Sequence, residues 1–365
     1  MGLSNVKDLC FFAKHDEKYK DANQKIVLVD FNALVKDFPT CEQDYGFAPS
    51  GVNTYFGFSA NAIQNWKSAQ ASDPQAPILG SPGNHFTHSA QIDRVLDALN
   101  QPNGPSVMRV IFALQPEEIS DPFGFMHRLE STEALTQMAK ELEAKAKKAA
   151  PGKRLDIVIR FASEMNTPEN KKWGYSNPAA TPKEFIRAFK EVRRVFRDVA
   201  PIFQMSFSPA VRSDLTFNAT TRNSKAVPGI KDYYPGIANI DFLSGSWYAG
   251  SLNNVNGAFS VLEEYFSNYK GLLKTHSFKY ALDEWGGTKS TTKFAAPLKR
   301  VGDQKILQEG TKQIGWEAGS GHEEVLKKMA QKLDSFAADG ITLEYATLFL
   351  QKKWNPRQIL NLPFV

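Results

Sequence analysis

Short β-rich runs alternate with amphipathic helical runs from about residue 50 to the end of the chain. This alternation limits the fold more than any other feature, because repeated β and α units are typical of a parallel sheet covered by helices. Several of the β-rich runs are continuously apolar, as expected for strands buried on both faces. We predict strands at Asn53–Phe58, Val107–Ala113, Leu155–Phe161, Phe203–Ser208, Ile240–Gly245, Phe278–Asp283 and Thr342–Phe349.

The helices between these strands have clear start and stop signals. Thr181 and Glu184 have the spacing of a capping box, with a proline at the first helical position. Apolar residues follow at spacings of three and four, which predicts one buried helix face. A further helix is predicted from His322 to Ala338, and Gly340 is well placed to end it.

Seven or eight such units favour a (β/α)8 TIM barrel of the α/β class over an open doubly wound sheet. No Gly-rich phosphate-binding sequence follows any predicted strand, which weakens the nucleotide-binding alternative. We predict one barrel over residues 51–365, with residues 1–50 as an N-terminal extension that packs on it. Lys25–Asp30 is a candidate eighth strand, and residues 288–321 are expected to form a long loop after strand seven.

Composition excludes several classes of protein. The 365 residues are 42% hydrophobic and 23% charged, which is typical of a globular chain rather than a disordered or fibrous one. No apolar run approaches the roughly 18 residues that span a bilayer, so no membrane insertion is expected. The net charge of +5 is small and the basic clusters lie on helical patterns, so we expect no nucleic-acid partner. Cys10 and Cys41 allow either one disulfide or two free thiols.

Two glutamates lie where predicted strands end, Glu164 after Leu155–Phe161 and Glu284 after Phe278–Asp283. A carboxylate is costly to bury, and the active site of a barrel lies at the C-terminal ends of its strands. Two more predicted strands separate the glutamates, which lets their side chains face each other across the barrel mouth. Two opposed carboxylates, one protonated and one charged, are what glycoside hydrolysis requires. The alternative, that each glutamate caps a helix or pairs with a lysine, is less favoured for two such positions.

The segment RFASEMN, from Arg160 to Asn166, resembles the Arg-x-x-His-Glu-Met-Asn signature of glycoside hydrolase family 26. That family contains endo-β-mannanases and relatives within a large clan of retaining barrel glycosidases. The sequence YPG at 234–236, with the strand segment that follows it, and DEWG at 283–286 are similar to two further motifs of the family. The resemblance covers about residues 155–286.

This resemblance implies roles for individual side chains. Glu164 corresponds to the general acid/base and Glu284 to the nucleophile, and their three-strand interval agrees with the clan. Tyr248 would hydrogen-bond the nucleophile, and Arg160 would lie beneath the acid/base. Ser163 departs from the family, which has His before the acid/base, and from the wider clan, which has Asn. A serine hydroxyl can still donate a hydrogen bond, but the choice of sugar is left open.

Aromatic rings stack on the apolar faces of sugars, and four tryptophans lie at or just beyond predicted strand ends. Core packing is the alternative for any one of them. Two histidines lie in or beside the Pro-Gly loop at 80–88, where they could line the cleft or lie on the surface. We expect the substrate-binding residues to be Arg160, Ser163, Asn166, Trp173, Trp247, Tyr248, Trp285, Trp354, His85 and His88.

No metal or cofactor is expected, because the chain has no His or Cys spacing typical of metal ligands and no calcium-loop pattern. A serine hydrolase is not supported either, because no Gly-x-Ser-x-Gly sequence is present. The residues favour a retaining endo-glycoside hydrolase that acts on a β-linked polysaccharide. The substrate is expected to be β-mannan or a related plant or bacterial exopolysaccharide. The alternatives are a catalytically silent glycan-binding barrel, which Ser163 favours, and a β-xylanase-type hydrolase of the same clan.

The expected partner is a polysaccharide or oligosaccharide, and the protein is expected to be a monomer. The first twelve residues lack the basic-then-apolar layout of a secretion signal. Because polysaccharides do not enter cells, we still expect a secreted or periplasmic protein whose signal is absent from this sequence.

Overall fold

Eight parallel strands close into a barrel in the computed structural model. It describes residues 6–12, 19–20, 26–27, 51–80, 88–222, 225–249, 252–274, 278–287, 299–301, 304–306 and 322–348. Each barrel strand pairs with both neighbours, and the last pairs with the first. The strands are β1 (Val6–Phe12), β2 (Gly51–Phe58), β3 (Val107–Pro116), β4 (Arg154–Phe161), β5 (Phe203–Phe207), β6 (Phe242–Leu243), β7 (Lys279–Gly287) and β8 (Leu343–Leu348). The predicted (β/α)8 fold is confirmed.

The α-helices lie between successive barrel strands. They are α1 (Ala60–Ser72) and α2 (His88–Asn100) after β2, α3 (Leu129–Ala146) after β3, α4 (Pro182–Val199) after β4, α5 (Leu252–Lys270) after β6 and α6 (His322–Ser335) after β7. Six 3-10 helices are also described, at Ile78–Gly80, Gly124–His127, Ile230–Tyr233, Ile237–Asn239, Gly271–Lys274 and Phe336–Asp339. Among the described residues, no helix combines the length and apolarity that a bilayer crossing needs.

Short strands lie beside the barrel. Ala210–Val211 and Ser246–Ala249 extend the sheet beyond β5 and β6, and Ser246–Ala249 pairs with the last four residues of β7. Thr220–Arg222 and Lys225–Val227 form a separate hairpin between β5 and β6. A four-stranded sheet contains Tyr19–Lys20, Ile26–Val27, Lys299–Val301 and Gln304–Ile306.

The N-terminal part of the chain differs from the prediction. Val6–Phe12 is a barrel strand, paired with β8 on one side and β2 on the other. The prediction of Lys25–Asp30 as the eighth barrel strand was wrong, because Ile26–Val27 pairs with Tyr19–Lys20 outside the barrel. An apolar run predicts a strand but not the strand with which it pairs. Here β8 pairs with the earlier segment Val6–Phe12. For the other residues of 1–50, the predicted extension stays a prediction.

Helix α4 shows why the chain folds as its pattern predicts. The Thr181 hydroxyl accepts a hydrogen bond from the backbone N–H of Glu184 at 3.3 Å, and Pro182 begins the helix. Phe185 and Phe189 project from the buried face, and both rings pack against Phe161 of β4. This aromatic contact holds β4 against its helix and fixes the strand end that carries the site.

The barrel interior is filled rather than open. Among the described residues, five buried apolar or aromatic side chains from five different barrel strands form one cluster, from Ile111, Val158, Phe242, Ala281 and Tyr345. Barrel enzymes carry their chemistry at the C-terminal ends of the strands, so a candidate site is expected at that end of the barrel.

Candidate active site

Glu284 lies near the end of β7, with 4% of its surface exposed, and three side chains donate hydrogen bonds to its carboxylate. The Tyr55 hydroxyl donates to Oε1 at 2.5 Å, the Tyr248 hydroxyl donates to Oε2, and an Arg160 nitrogen donates to Oε1. An ionised carboxylate only accepts hydrogen bonds, so three converging donors stabilise its negative charge and fix its orientation.

The two tyrosines reach Glu284 from two different strands. Tyr55 lies two residues after Asn53 on the same face of β2, and the Asn53 side chain donates to the carbonyl of Asp283 at 2.9 Å. Tyr248 lies on the strand that pairs with the end of β7. Burial and the Glu284 charge raise the pKa of both phenols well above 10, so both remain protonated donors.

Arg160, near the end of β4, is completely buried and connects Glu284 to three other side chains of the barrel. One terminal nitrogen donates to Glu284 and the other donates to the Ser246 hydroxyl at 2.6 Å. Its Nε donates to the Ser208 hydroxyl at 3.1 Å and lies 3.4 Å from a carboxylate oxygen of Asp283. A planar guanidinium can satisfy these partners together, because its donors point in fixed directions.

Asp283 lies directly before Glu284 but is fully buried below it. Its carboxylate accepts hydrogen bonds from the hydroxyls of Ser206, at 2.7 Å, and Tyr345. The Arg160 guanidinium therefore contacts Asp283 through Nε and Glu284 through a terminal nitrogen. Both adjacent side chains reach the same guanidinium, and the register of β7 against β8 shifts between Leu282 and Trp285, where the simple alternation of a strand is interrupted.

Glu164 follows β4 in a turn with two residues in the left-handed region, Ala162 at φ 45° and Glu164 at φ 57°. Non-glycine residues adopt this conformation at some cost, and such turns are concentrated at functional sites. The backbone N–H of Glu164 donates to the carbonyl of Ser208 at 2.9 Å, which ties the turn to the segment after β5. Burial and the nearby Glu284 charge raise the pKa of Glu164 to about 7.

Two further side chains hold the turn that carries Glu164. The Asn166 amide donates to the carbonyl of Ala210 at 2.9 Å and accepts from its N–H at 2.8 Å. The Trp173 indole donates to the carbonyl of Ser163 at 2.7 Å. Asn166, Trp173 and Ser163 are all buried, so they position the turn rather than lie in open space above it.

The arrangement brings together two carboxylates in different environments. Glu284 accepts three hydrogen bonds, while the raised pKa of Glu164 lets it hold its proton up to near neutral pH. The Glu284 charge contributes to that raised pKa, and the Arg160 charge opposes it. Such a pair can supply a nucleophile and a proton donor in one site.

Hydrogen bonds join Arg160 and Tyr248 to Glu284, and the charges of Glu284 and Arg160 act on Glu164. Trp247 is different: its side chain is fully buried and packs on the ring of Phe259 in α5, with centroids 5.9 Å apart. The expectation that it lines the cleft is corrected, because its neighbours Ser246 and Tyr248 face the site and alternation turns Trp247 outward.

Several predicted residues lie wholly or partly outside the described part of the chain. His85, Trp354 and Cys41 are not among the described residues. For His88 at the start of α2, Trp285 in β7 and Cys10 in β1, only the backbone is described. The long loop at 288–321 is described only at Lys299–Val301 and Gln304–Ile306.

Sequence reasoning missed Tyr55, Ser246 and Asp283. Each is a polar residue in or beside a predicted strand, and each contacts Arg160 or Glu284. That signal was present in the sequence but did not identify which carboxylate each residue would contact. Within the described residues, no cluster of three His, Cys, Asp or Glu side chains could hold a metal ion.

No family model matches the chain, and no curated protein matches its sequence. Solved structures do match. GH26C from a Muricauda species has 13% identity and a TM-score of 0.55, and the match covers 100% of this chain and 86% of that one. A double mutant of the Cellulomonas fimi endo-β-1,4-mannanase has 12% identity and a TM-score of 0.54, over 100% and 72% of the two chains. A GH26 β-mannanase from Bacteroides ovatus has 12% identity and a TM-score of 0.54, over 99% and 88%.

These likenesses concern the fold, since the identities are only 12–13%. They agree with the resemblance seen in the RFASEMN segment, which lies at the end of β4. The chain therefore has a (β/α)8 fold like that of glycoside hydrolase family 26 enzymes, with a strongly divergent sequence.

Proposed function

We propose that this protein is a retaining endo-glycoside hydrolase that cleaves a β-linked polysaccharide by double displacement. One observation carries the proposal: Glu284, whose carboxylate accepts three hydrogen bonds, lies in one site with Glu164, whose pKa is raised to about 7. Retaining glycosidases use two carboxyl groups, one as an anionic nucleophile and one as a proton donor. The site lies at the C-terminal ends of the strands, where barrel enzymes carry their chemistry.

In the first step, Glu284 attacks the anomeric carbon of the sugar. The glycosidic bond breaks, and its oxygen takes the proton of Glu164 as the leaving chain departs. The products of this step are a shortened chain with a new hydroxyl and an ester between the sugar and Glu284. Tyr55, Tyr248 and Arg160 keep the attacking carboxylate oriented.

In the second step, Glu164 is ionised and acts as a base. It takes a proton from water, the hydroxide oxygen bonds to the anomeric carbon, and the ester to Glu284 breaks. Glu284 returns to its anionic form, and Glu164 is protonated again. Two inversions at the anomeric carbon leave its configuration unchanged.

The proposed substrate is β-mannan or a related plant or bacterial exopolysaccharide. Two of the similar solved structures are named as an endo-β-1,4-mannanase and a β-mannanase, which makes β-mannan the first polymer to test. Because such polymers do not enter cells, we also propose that the protein acts outside the cytoplasm.

The test is the release of new reducing ends from a panel of β-mannan, galactomannan, β-xylan and bacterial exopolysaccharides. Wild-type protein, Glu164→Gln and Glu284→Gln are compared, with Glu263→Gln as the control because Glu263 is exposed on α5. We expect activity in the wild type and control, and near-complete loss in both site variants. The proton NMR spectrum of the first product should show the β-anomer. Unchanged turnover in either site variant contradicts the assignment.

A glycan-binding barrel without activity is the second candidate, favoured by Ser163 in place of the family histidine. The same panel separates the two functions when it is run beside affinity gel electrophoresis. A binder is retarded by the polysaccharide but releases no new ends, whereas the proposed enzyme releases them.

A further inference from the structure

Asp283 is a fully buried carboxylate that the proposed mechanism does not use. Its side chain accepts hydrogen bonds from the hydroxyls of Ser206, at 2.7 Å, and Tyr345. Its backbone N–H donates to the carbonyl of Gly245 at 3.1 Å, and the Asn53 side chain donates to its backbone carbonyl at 2.9 Å. Groups on four other segments of the barrel therefore hold Asp283 in place, independently of the proposed nucleophile.

Arg160 is in ion-pair contact with two carboxylates, those of Asp283 and Glu284. A carboxylate oxygen of Asp283 lies 3.4 Å from the Nε of Arg160, and a terminal nitrogen of the same guanidinium contacts Glu284. The arginine side chain is inaccessible to solvent, and a guanidinium stays protonated in proteins. A buried charge without a partner is strongly destabilising, so Arg160 needs a counter-ion at every stage of a reaction.

The proposed reaction takes one of these two counter-ions away. In the first step the sugar bonds to Glu284, and the resulting ester carries no charge. The negative charge is then on Glu164, which has given its proton to the leaving chain. The guanidinium has lost the charge of one direct partner, while Asp283, which takes no part in the bond changes, stays in contact with it.

We propose that Asp283 is a positioning residue, the permanent counter-ion that keeps Arg160 in place while Glu284 is bonded to the sugar. The inference rests on the proposed function, because the ester intermediate is what removes the charge of Glu284. Asp283 acts through Arg160 rather than on a reacting atom. A guanidinium held in this way is already in position to stabilise the carboxylate of Glu284 when the ester breaks in the second step.

The experiment is a double-mutant cycle, measured by urea unfolding of the full chain. Every protein in the cycle carries Glu164→Gln, so that Glu164 cannot change its charge. Glu284→Gln gives Arg160 the uncharged neighbour that it has in the ester. Asp283→Asn is introduced with and without Glu284→Gln. Each single change leaves Arg160 one charged partner and the combination leaves none, so the two effects should not add.

With Glu284 present, we expect Asp283→Asn to lower the folding equilibrium constant about tenfold. Combined with Glu284→Gln, the same change should lower it about a thousandfold or more. If Asp283 only stabilised the fold, its loss would have the same effect in both backgrounds. Asp156→Asn is the matched control, because its carboxylate lies 3.8 Å from another buried arginine, Arg109, near the N-terminal ends of β3 and β4. Its effect should be equal in both backgrounds.

Equal effects of Asp283→Asn in the two backgrounds overturn the inference. If the combined variant does not fold by circular dichroism, Arg160→Met is added to it. Recovery of the fold supports the inference, because the change removes the uncompensated cation, and failure to recover overturns it. Because unfolding needs no turnover, the cycle separates the two proposals. A wild type that cleaves no polymer contradicts the proposed function, whereas additive effects contradict the role of Asp283.

Discussion

Arg160 and Glu284 form a direct ion pair in which the arginine side chain is completely inaccessible to solvent. A buried charge is tolerated only when its partners are in place, and removing one partner leaves the other uncompensated. Here the same guanidinium also contacts Asp283, so one cation is shared by the proposed nucleophile and by the residue before it. The pair is therefore both a structural and a functional feature of the barrel.

Replacing Arg160 by lysine should lower activity and stability together. A lysine carries the charge but cannot reach Glu284, Ser246 and Ser208 at once, because it lacks the planar fork. We expect kcat to fall by about a hundredfold and the free energy of unfolding by about 1–3 kcal/mol. Hydrolysis assays and urea unfolding measure the two effects. The control is Arg194→Lys, at an exposed position in surface ion pairs, and equal effects in both variants would contradict the prediction.

Tyr55→Phe and Tyr248→Phe should each reduce kcat without unfolding the protein. Each removes one hydrogen bond to Glu284 and keeps the ring. A hydrogen bond to a charged group contributes about 1.5–3 kcal/mol, so we expect a loss of about tenfold to a hundredfold per variant. The double variant tests whether the two donors are coupled. Activity at the wild-type level in both single variants would show that Glu284 does not depend on these donors.

The rate should fall as the pH rises through about 7. In the proposed first step Glu164 donates a proton, and its pKa is raised to about 7, so we expect it to be protonated and competent below this pH and to lose the proton above it. The charge of Glu284 contributes to this raised pKa, so Glu284→Gln should lower the pKa of Glu164. Carbon-13 NMR of the Glu164 carboxyl measures the shift in this inactive variant. A higher pKa of Glu164 in Glu284→Gln than in the wild type would contradict the repulsion between the two carboxylates.

Glu164→Gln should be more stable than the wild type at pH 8. The pKa of Glu164 rises from its ordinary value of 4.5 to about 7 on folding, so the folded state binds the proton more tightly than the unfolded state. Stability from this group is complete below about pH 4.5 and is lost as the pH rises through 7. A neutral glutamine avoids that loss, which is on the order of 1–3 kcal/mol.

Urea unfolding of the wild type and of Glu164→Gln at pH 4.5 and pH 8 checks this prediction. The difference between the two proteins should be small at pH 4.5 and should favour the variant at pH 8. Glu263→Gln, changed at an exposed position, should show no such dependence on pH. If Glu164→Gln were less stable than the wild type at pH 8, this would contradict the prediction that ionised Glu164 destabilises the folded state.

Much of the fold followed from local patterns. Strand–helix alternation predicted the barrel, and seven of its eight strands were located, because continuously apolar runs and capping signals are local properties of the chain. The first strand was missed. Val6–Phe12 carries no stronger signal than Lys25–Asp30, and only pairing with β8 and β2 distinguishes them.

Glu164 and Glu284 could be singled out as the proposed catalytic pair because they are carboxylates at strand ends, where burial is costly without a function. The contact of Tyr55 with Glu284 was not predictable, because Tyr55 lies 229 residues from Glu284 along the chain and contacts it only when the barrel closes. Trp247 was placed in the cleft from its position in the sequence, but its direction depends on the register of Ser246–Ala249 against β7.

The sequence by itself determined the class of fold and the two acidic groups, since periodicity and residue type act over a few neighbouring positions. The tertiary structure alone decided which groups surround them: the tyrosine donors, the shared guanidinium of Arg160 and the Ser246 hydroxyl. These contacts join strands distant in sequence, and their geometry comes from closure of the barrel and from strand register.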